Sequence, residues 1–312
     1  MKLNEIILLL EGGNALDKVT NGYRINKGDI PNVIKLVSKL SGIDIDDLHP
    51  LGSTGKSKTS GDIDLAIDDS KYDKKKVLDK VMRRVINIFS KHYPEMEETH
   101  DLDFDIDLIY NNIGTNVISF PLPVGDLDSP KGFIQVDFMF TNNTDWAKFA
   151  YHSPGDDSEY KGIVRTILLR GTAAALNVPG IDHFEYEEDG SLLLRVGRAW
   201  DFTKGIKSIT QHRPAKKRGG GFVKTLKSVS REEFQKLYPN VEIDGNTVET
   251  NDPIEVIKIL FGDGVGVGDL QTAEQVIHVI KQKYNKAEQK RIFDFTKKSL
   301  PNIQLRLPPE LK

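Results

Sequence analysis

A short, mostly apolar segment that runs directly into a long amphipathic helix is the feature that most restricts what this chain can fold into. Residues 62–67, Asp-Ile-Asp-Leu-Ala-Ile, are rich enough in apolar and β-branched side chains for a buried strand. Lys74 to His92 then carries Val77, Leu78, Val81, Met82, Val85, Ile86 and Phe89 at helical spacing, and Pro94 ends the pattern. A strand covered by such a helix needs partner strands, and two candidates follow, Asn116 to Leu122 and Phe133 to Phe140. An earlier helix is expected over Asp29 to Leu40, with Pro31 tolerated in its first turn, and a later one over Glu159 to Leu176. The expected class is α/β, a mixed sheet with flanking helices over residues 1–178.

The remainder, 179–312, reads as a separate α+β domain. Phe184 to Tyr186 and Leu192 to Val196 flank the turn signal Asp189-Gly190 and suggest a hairpin. Ser230-Arg231-Glu232-Glu233 and Thr272-Ala273-Glu274-Gln275 are capping boxes, and Asp252-Pro253 starts a third short helix. Between hairpin and helices, Lys204, Lys207, Arg213, Lys216, Lys217, Arg218, Lys224 and Lys227 occur with no acidic residue among them.

Composition removes several function classes. There is no cysteine, which excludes a disulfide framework, thiolate metal ligation and a cysteine nucleophile. With 43 basic against 46 acidic side chains, the whole protein offers no positive field for a polyanion, so any such site is local. Ile6 to Leu10 is too short for a signal-peptide core or a membrane span. The expectation is a soluble, unprocessed, cytoplasmic protein with no membrane partner.

The chemistry concentrates in Leu51-Gly52-Ser53-Thr54-Gly55, a spacer, and Ser60-Gly61-Asp62-Ile63-Asp64-Leu65. Residues two apart on a strand share a face, so Asp62 and Asp64 present adjacent carboxylates while Ile63 and Leu65 enter the core. Two such carboxylates repel, and a divalent cation with oxygen ligands removes the penalty. The glycines of the preceding turn let backbone N–H groups approach an anion, and the Ser53 hydroxyl can donate to a phosphate oxygen. In Phe133 to Phe140 the even positions Ile134, Val136, Phe138 and Phe140 are apolar, whereas the odd face carries Gln135 and Asp137. If that strand lies beside residues 62–64, three carboxylates converge, enough for two metal ions.

In these residues the chain resembles the DNA polymerase β-like nucleotidyltransferase superfamily. The likeness covers residues 30–170 and maps onto Leu51, Gly52, Ser53, Asp62, Asp64 and Asp137, with eight residues between Ser53 and Asp62. A further likeness to bacteriophage-encoded members rests on Glu11-Gly12-Gly13-Asn14 and Gln135-Val136-Asp137-Phe138-Met139; a viral protein would work in the host cytoplasm. The resemblance implies a nucleotidyltransferase fold, metal ligation by Asp62, Asp64 and Asp137, and two Mg²⁺ ions, with Mn²⁺ as a substitute. It implies transfer of a nucleoside monophosphate from an NTP to an acceptor hydroxyl, with release of pyrophosphate. Gly52 and Ser53 would meet the β/γ end of the nucleotide. Tyr160, Lys161 and Arg165 follow the third acid and are nucleotide-binding candidates, the last two being spaced to share a helix face; a solvated basic face is the alternative.

The acceptor is left open between a polynucleotide end, with an untemplated RNA 3′ end preferred because of the basic segment, and a protein or small molecule. A noncatalytic nucleic-acid-binding scaffold is the reading from another class. Trp200, Phe202 and Phe222 near the basic segment suggest base stacking, against a flexible loop beside core aromatics. Gly55-Lys56-Ser57 is rejected as the end of a phosphate-binding P-loop, because Pro50 stands where glycine is needed and a strand follows. Asp101, Asp103, Asp105 and Asp107 alternate with apolar residues and make a rival acidic face, read as a charged edge strand.

Overall fold

The computed structural model describes residues 16–20, 23–100, 103, 107–112, 116–176, 184–188, 192–214, 236, 239, 246–301 and 305–312. The chain divides into two compact units, one formed by residues 1–166, 271–273 and 301–307, the other by 167–270, 274–300 and 308–312.

In the first unit, helix α1 (Asp17–Thr20) and strand β1 (Ile25–Asn26) precede α2 (Ile30–Ser41). Pro31 occupies the first turn of α2, and Gly42 ends it in the left-handed conformation with its N–H on the Ser38 carbonyl. Next come β2 (His49–Pro50), β3 (Thr59–Ser60) and β4 (Asp62–Asp68), then α3 (Lys74–His92) and α4 (Glu95–His100). The Asp73 side chain caps α3 by accepting from the Lys76 N–H. Strands β5 (Tyr110–Asn112), β6 (Val117–Gly125) and β7 (Pro130–Thr141) lead to α5 (Thr144–Ala150) and α6 (Gly162–Ala175).

The sheet runs β2-β4-β7-β6-β5, with β4 and β7 parallel at its centre and every other pairing antiparallel. One face is apolar. Ile63 and Leu65 of β4 lie beside Val136 and Phe138 of β7, which lie beside Phe120 and Ile118 of β6. Val33 and Val37 of α2 and Val77, Val81, Val85 and Phe89 of α3 join the same buried cluster. Because side chains alternate along a strand, burying that face obliges Asp62, Asp64, Gln135, Asp137 and Ser119 to share the opposite one.

The second unit contains β8 (Phe184–Glu188), β9 (Leu192–Asp201), β10 (Gly205–Pro214) and β11 (Asn246–Thr250), an antiparallel sheet ordered β11-β10-β9-β8. Helices α7 (Pro253–Phe261), α8 (Ala273–Lys283) and α9 (Lys286–Lys298) follow. Asp252 caps α7 as its sequence predicts, accepting from the Ile254 N–H, and Asn285 with Glu288 closes a capping box on α9.

One expectation about organisation changes. The units divide inside α6, after Thr166, and not beyond the helix at 178. The start of α6 bonds within the first unit, through Thr166 Oγ1 to the Ala150 carbonyl. Farther along, Gly171 abuts Thr296 so closely that an added Cβ would lie 2.0 Å from its hydroxyl. Helix α5 carries no expectation from sequence, since seven residues are too few to show a period. The segment at Ser230 and the turn at Asp189-Gly190 lie outside the described residues. No helix among the described residues is long and apolar enough to cross a membrane.

Candidate metal centre

The parallel register of β4 and β7 sets Asp64 directly beside Asp137 and Asp62 beside Gln135. The three aspartates each offer a carboxylate oxygen, and these oxygens all lie within 4.8 Å of one another. Asp62 and Asp137 are buried. Asp64 Oδ1 is buried too and has no hydrogen-bond partner.

Such a cluster is electrostatically costly when bare. Burial, followed by the charge of Asp137, pushes the Asp62 carboxyl up to about 7, with Arg24 opposing the shift. Burial raises Asp137 to about 6, against hydrogen bonds from Ser119 and Gln135 that favour its charged form. Asp64 is raised well above the usual carboxylate range by burial and by both neighbours. An all-oxygen donor set, clustered and with one buried oxygen unsatisfied, fits a hard divalent cation.

The turn at 51–55 is stitched onto this cluster. Leu51 N–H donates to the Asp64 carbonyl (2.9 Å) and Gly52 N–H to the Tyr151 carbonyl (3.1 Å). In return, Asp64 N–H donates to Thr54 Oγ1 at 3.1 Å. Gly52 has a φ of 56°, and a Cβ there would stand 2.8 Å from Asp64 Oδ2, so this position needs glycine for conformation and for space alike. Ser53 commits its carbonyl, which accepts from Lys56 N–H (3.0 Å) and Ser60 Oγ (3.4 Å). Its half-buried hydroxyl takes no partner among the described residues.

Behind the turn, the Lys56 ammonium donates to the Ser153 carbonyl (3.2 Å) and lies 3.3 Å from His152 Nδ1. An ammonium only donates, so Nδ1 accepts and Nε2 carries the proton. Burial, Lys56 and Arg165 bring His152 down to about 4, which keeps it neutral.

The basic candidates after the third acid do not form one face. Lys161 is exposed and precedes the first residue of α6, whereas Arg165 is fully buried inside the helix. The Arg165 guanidinium donates to the Phe149 carbonyl at 2.9 Å and sits over the Phe149 ring. Lys161 stands at the N-cap, its carbonyl accepting from the Val164 N–H at 2.9 Å, and it is exposed where Arg165 is enclosed. Tyr160 is half-buried just before the helix.

In the second unit, Trp200 and Phe202 are core residues, so their rings are not available to stack on bases. Of the basic segment, Lys207 donates to Asp201; residues 215–227, Phe222 among them, lie outside the described residues, as does Glu11-Gly12-Gly13-Asn14. Asp101 and Asp105 of the rival acidic stretch lie outside too, while Asp103 N–H donates to Asp107 and Lys18 stands 3.6 Å from Asp107.

Three residues around the acids carry no site signal of their own in the sequence. Gln135 bonds Asp137 and Ser119 stands across from it on β6, and their only signal is a place on the polar face of the strands. Arg24 reaches the site through the pairing of β1 with β3; its Nε and Nη2 donate to Thr59 Oγ1 and carbonyl, at 3.0 and 3.1 Å. No family model, curated protein or solved structure matches the chain.

Proposed function

We propose that the first unit is a metal-dependent nucleotidyltransferase of the polymerase β-like kind, moving a nucleoside monophosphate from an NTP to an acceptor hydroxyl. The observation that carries this reading is the meeting of Asp62, Asp64 and Asp137, distant in sequence, within 4.8 Å beside the Gly52-Ser53 turn. The acceptor hydroxyl gives up its proton to the Asp137 carboxylate as its oxygen forms a bond to the α-phosphorus, the bond from that phosphorus to the bridging oxygen breaks, and pyrophosphate leaves with those electrons.

Asp62, Asp64 and Asp137 would hold two Mg²⁺ ions, or Mn²⁺ in their place. When bound, the ions supply charge neutralisation at the phosphates and a lowered pKa for the attacking hydroxyl. Asp64 Oδ1, with no protein partner, supplies a free ligand oxygen. The left-handed turn at Gly52 brings backbone against the acids without a side chain between them, and Ser53 keeps its hydroxyl for a phosphate oxygen. Arg24, whose charge favours ionised Asp62, adds a cation at the cluster's edge. Arg165 acts from behind, holding the 149–153 backbone that the turn bonds to, and not as a direct phosphate ligand. An RNA 3′ end is the preferred acceptor on the strength of the basic segment 204–227 alone.

The test is incubation of the full chain with each α-labelled NTP, Mg²⁺ or Mn²⁺, and a pool of RNA, DNA and protein. Label entering one acceptor class, with pyrophosphate released, supports the reading and names the acceptor. RNA binding indifferent to metal and NTP, with no label transferred, would instead favour a noncatalytic scaffold.

A further inference from the structure

We infer that Gln135 is a positioning residue, which presents Asp137 to the metal ions with its carboxylate plane fixed. The inference rests on the metal-site reading above. Gln135 stands two residues before Asp137 on β7 and therefore on the same face, at the register position of Asp62. Its side chain is buried, with 2% of its surface exposed. Nε2 donates to both Asp137 oxygens, at 2.9 and 3.0 Å.

The orientation of the amide follows from its partners. Leu16 N–H donates to Gln135 Oε1 at 3.2 Å, and an N–H can be satisfied only by the oxygen. The nitrogen is thereby turned to the carboxylate, which can only accept. The chain just before α1 thus sets the amide, and the amide sets the acid. Ser119 lies across from Asp137 on β6 and favours its charged form, while Gln135 fixes the carboxylate and Asp64 keeps an oxygen without a partner.

Gln135 also has a chemical advantage over the other side chains that could fill its place. A carboxylate there would put a fourth negative charge beside Asp62, and an ammonium would compete with the metal as counter-ion. A neutral group with two N–H donors orients the ligand without doing either. Groups that orient metal ligands typically change metal affinity by about 10- to 100-fold when removed.

The experiment is Mn²⁺ titration of the full chain by electron paramagnetic resonance, comparing wild type with Gln135→Leu and Gln135→Met, alongside circular dichroism. Both variants keep apolar bulk but lose the donors. The expected result is at least about tenfold weaker Mn²⁺ binding, with the native spectrum of secondary structure retained. In transfer assays the Mg²⁺ concentration for half-maximal rate rises, while kcat at saturating Mg²⁺ recovers in large part. Leu16→Pro, which removes the orienting N–H and leaves Gln135 in place, shifts Mn²⁺ affinity in the same direction and serves if neither side-chain variant folds. Wild-type Mn²⁺ affinity in a folded variant overturns the inference and leaves the metal centre standing. Failure of the wild type itself to bind Mn²⁺ overturns both.

Discussion

Gly52 and Asp64 are in steric contact across the site: a methyl group on residue 52 would lie 2.8 Å from Asp64 Oδ2, and the Gly52 backbone has a φ of 56°. The acid strand and the Gly52-Ser53 turn are one device, spaced by the absence of a side chain.

Gly52→Ala is therefore expected to hurt twice. A non-glycine residue in this conformation costs about 1–2 kcal/mol in backbone strain, and the methyl pushes the Asp64 carboxylate off its position. Thermal melts should show the loss of stability, and metal titration should show weakened binding, which strain alone would not produce.

Asp64→Asn separates stability from function. In the absence of metal the substitution removes one of three mutually repelling carboxyls, so the melting temperature of the metal-free protein should rise. Nucleotidyl transfer should fall to background. A variant that is less stable than wild type in EDTA would argue against an electrostatically strained cluster.

The pH dependence of stability has an unusual sign. Asp62 and Asp137 sit at about 7 and about 6 in the folded protein, against 3.8 for the free side chain. The folded state then binds protons that the unfolded chain has released, so the contribution is fully present below pH 4 and is lost as pH rises through 7. Denaturant titrations in EDTA should show this part of the stability declining between pH 4 and 7. Saturating Mg²⁺ should flatten the decline, because the cation takes over from the protons.

Gly171→Ala tests the second unit. The new methyl would meet Thr296 Oγ1 at 2.0 Å and its Cα at 3.0 Å, so α6 and α9 must part. A loss of about 1–3 kcal/mol is expected by the usual cost of overpacking, read as a lower midpoint in urea.

Much of the first unit was legible in the sequence because its signals are redundant. The α3 stripe from Val77 to Phe89 and the alternation from Ile134 to Phe140 each repeat one period several times, and the burial of that face follows. The same alternation set Asp137 on the polar face of its strand, and the condition that this strand lie beside residues 62–64 is met by the pairing of β4 with β7. Gln135 and Ser119 were not legible as site residues, because their roles depend on register: which residue lies beside which is set by strand pairing. Arg24 depends on a two-residue pairing of β1 with β3, too short to have a pattern. Lys161 and Arg165 do not share a basic face because Lys161 is exposed at the N-cap of α6 while Arg165 is buried on the Phe149 carbonyl, and a spacing of four does not say which side of a helix is covered. Of the two readings left open for Trp200 and Phe202, stacking and core packing, their burial favours the core.

The most direct test of the central claim is divalent-metal binding by the wild type and by Asp137→Asn, measured as Mn²⁺ titration of the full chain at neutral pH. Asp137 belongs to a different strand from its companions, so it contributes only if the register of β4 and β7 is as described. The wild type is expected to bind Mn²⁺, and the folded variant to bind it far more weakly or not at all. Equal affinity and stoichiometry in the two proteins would contradict it.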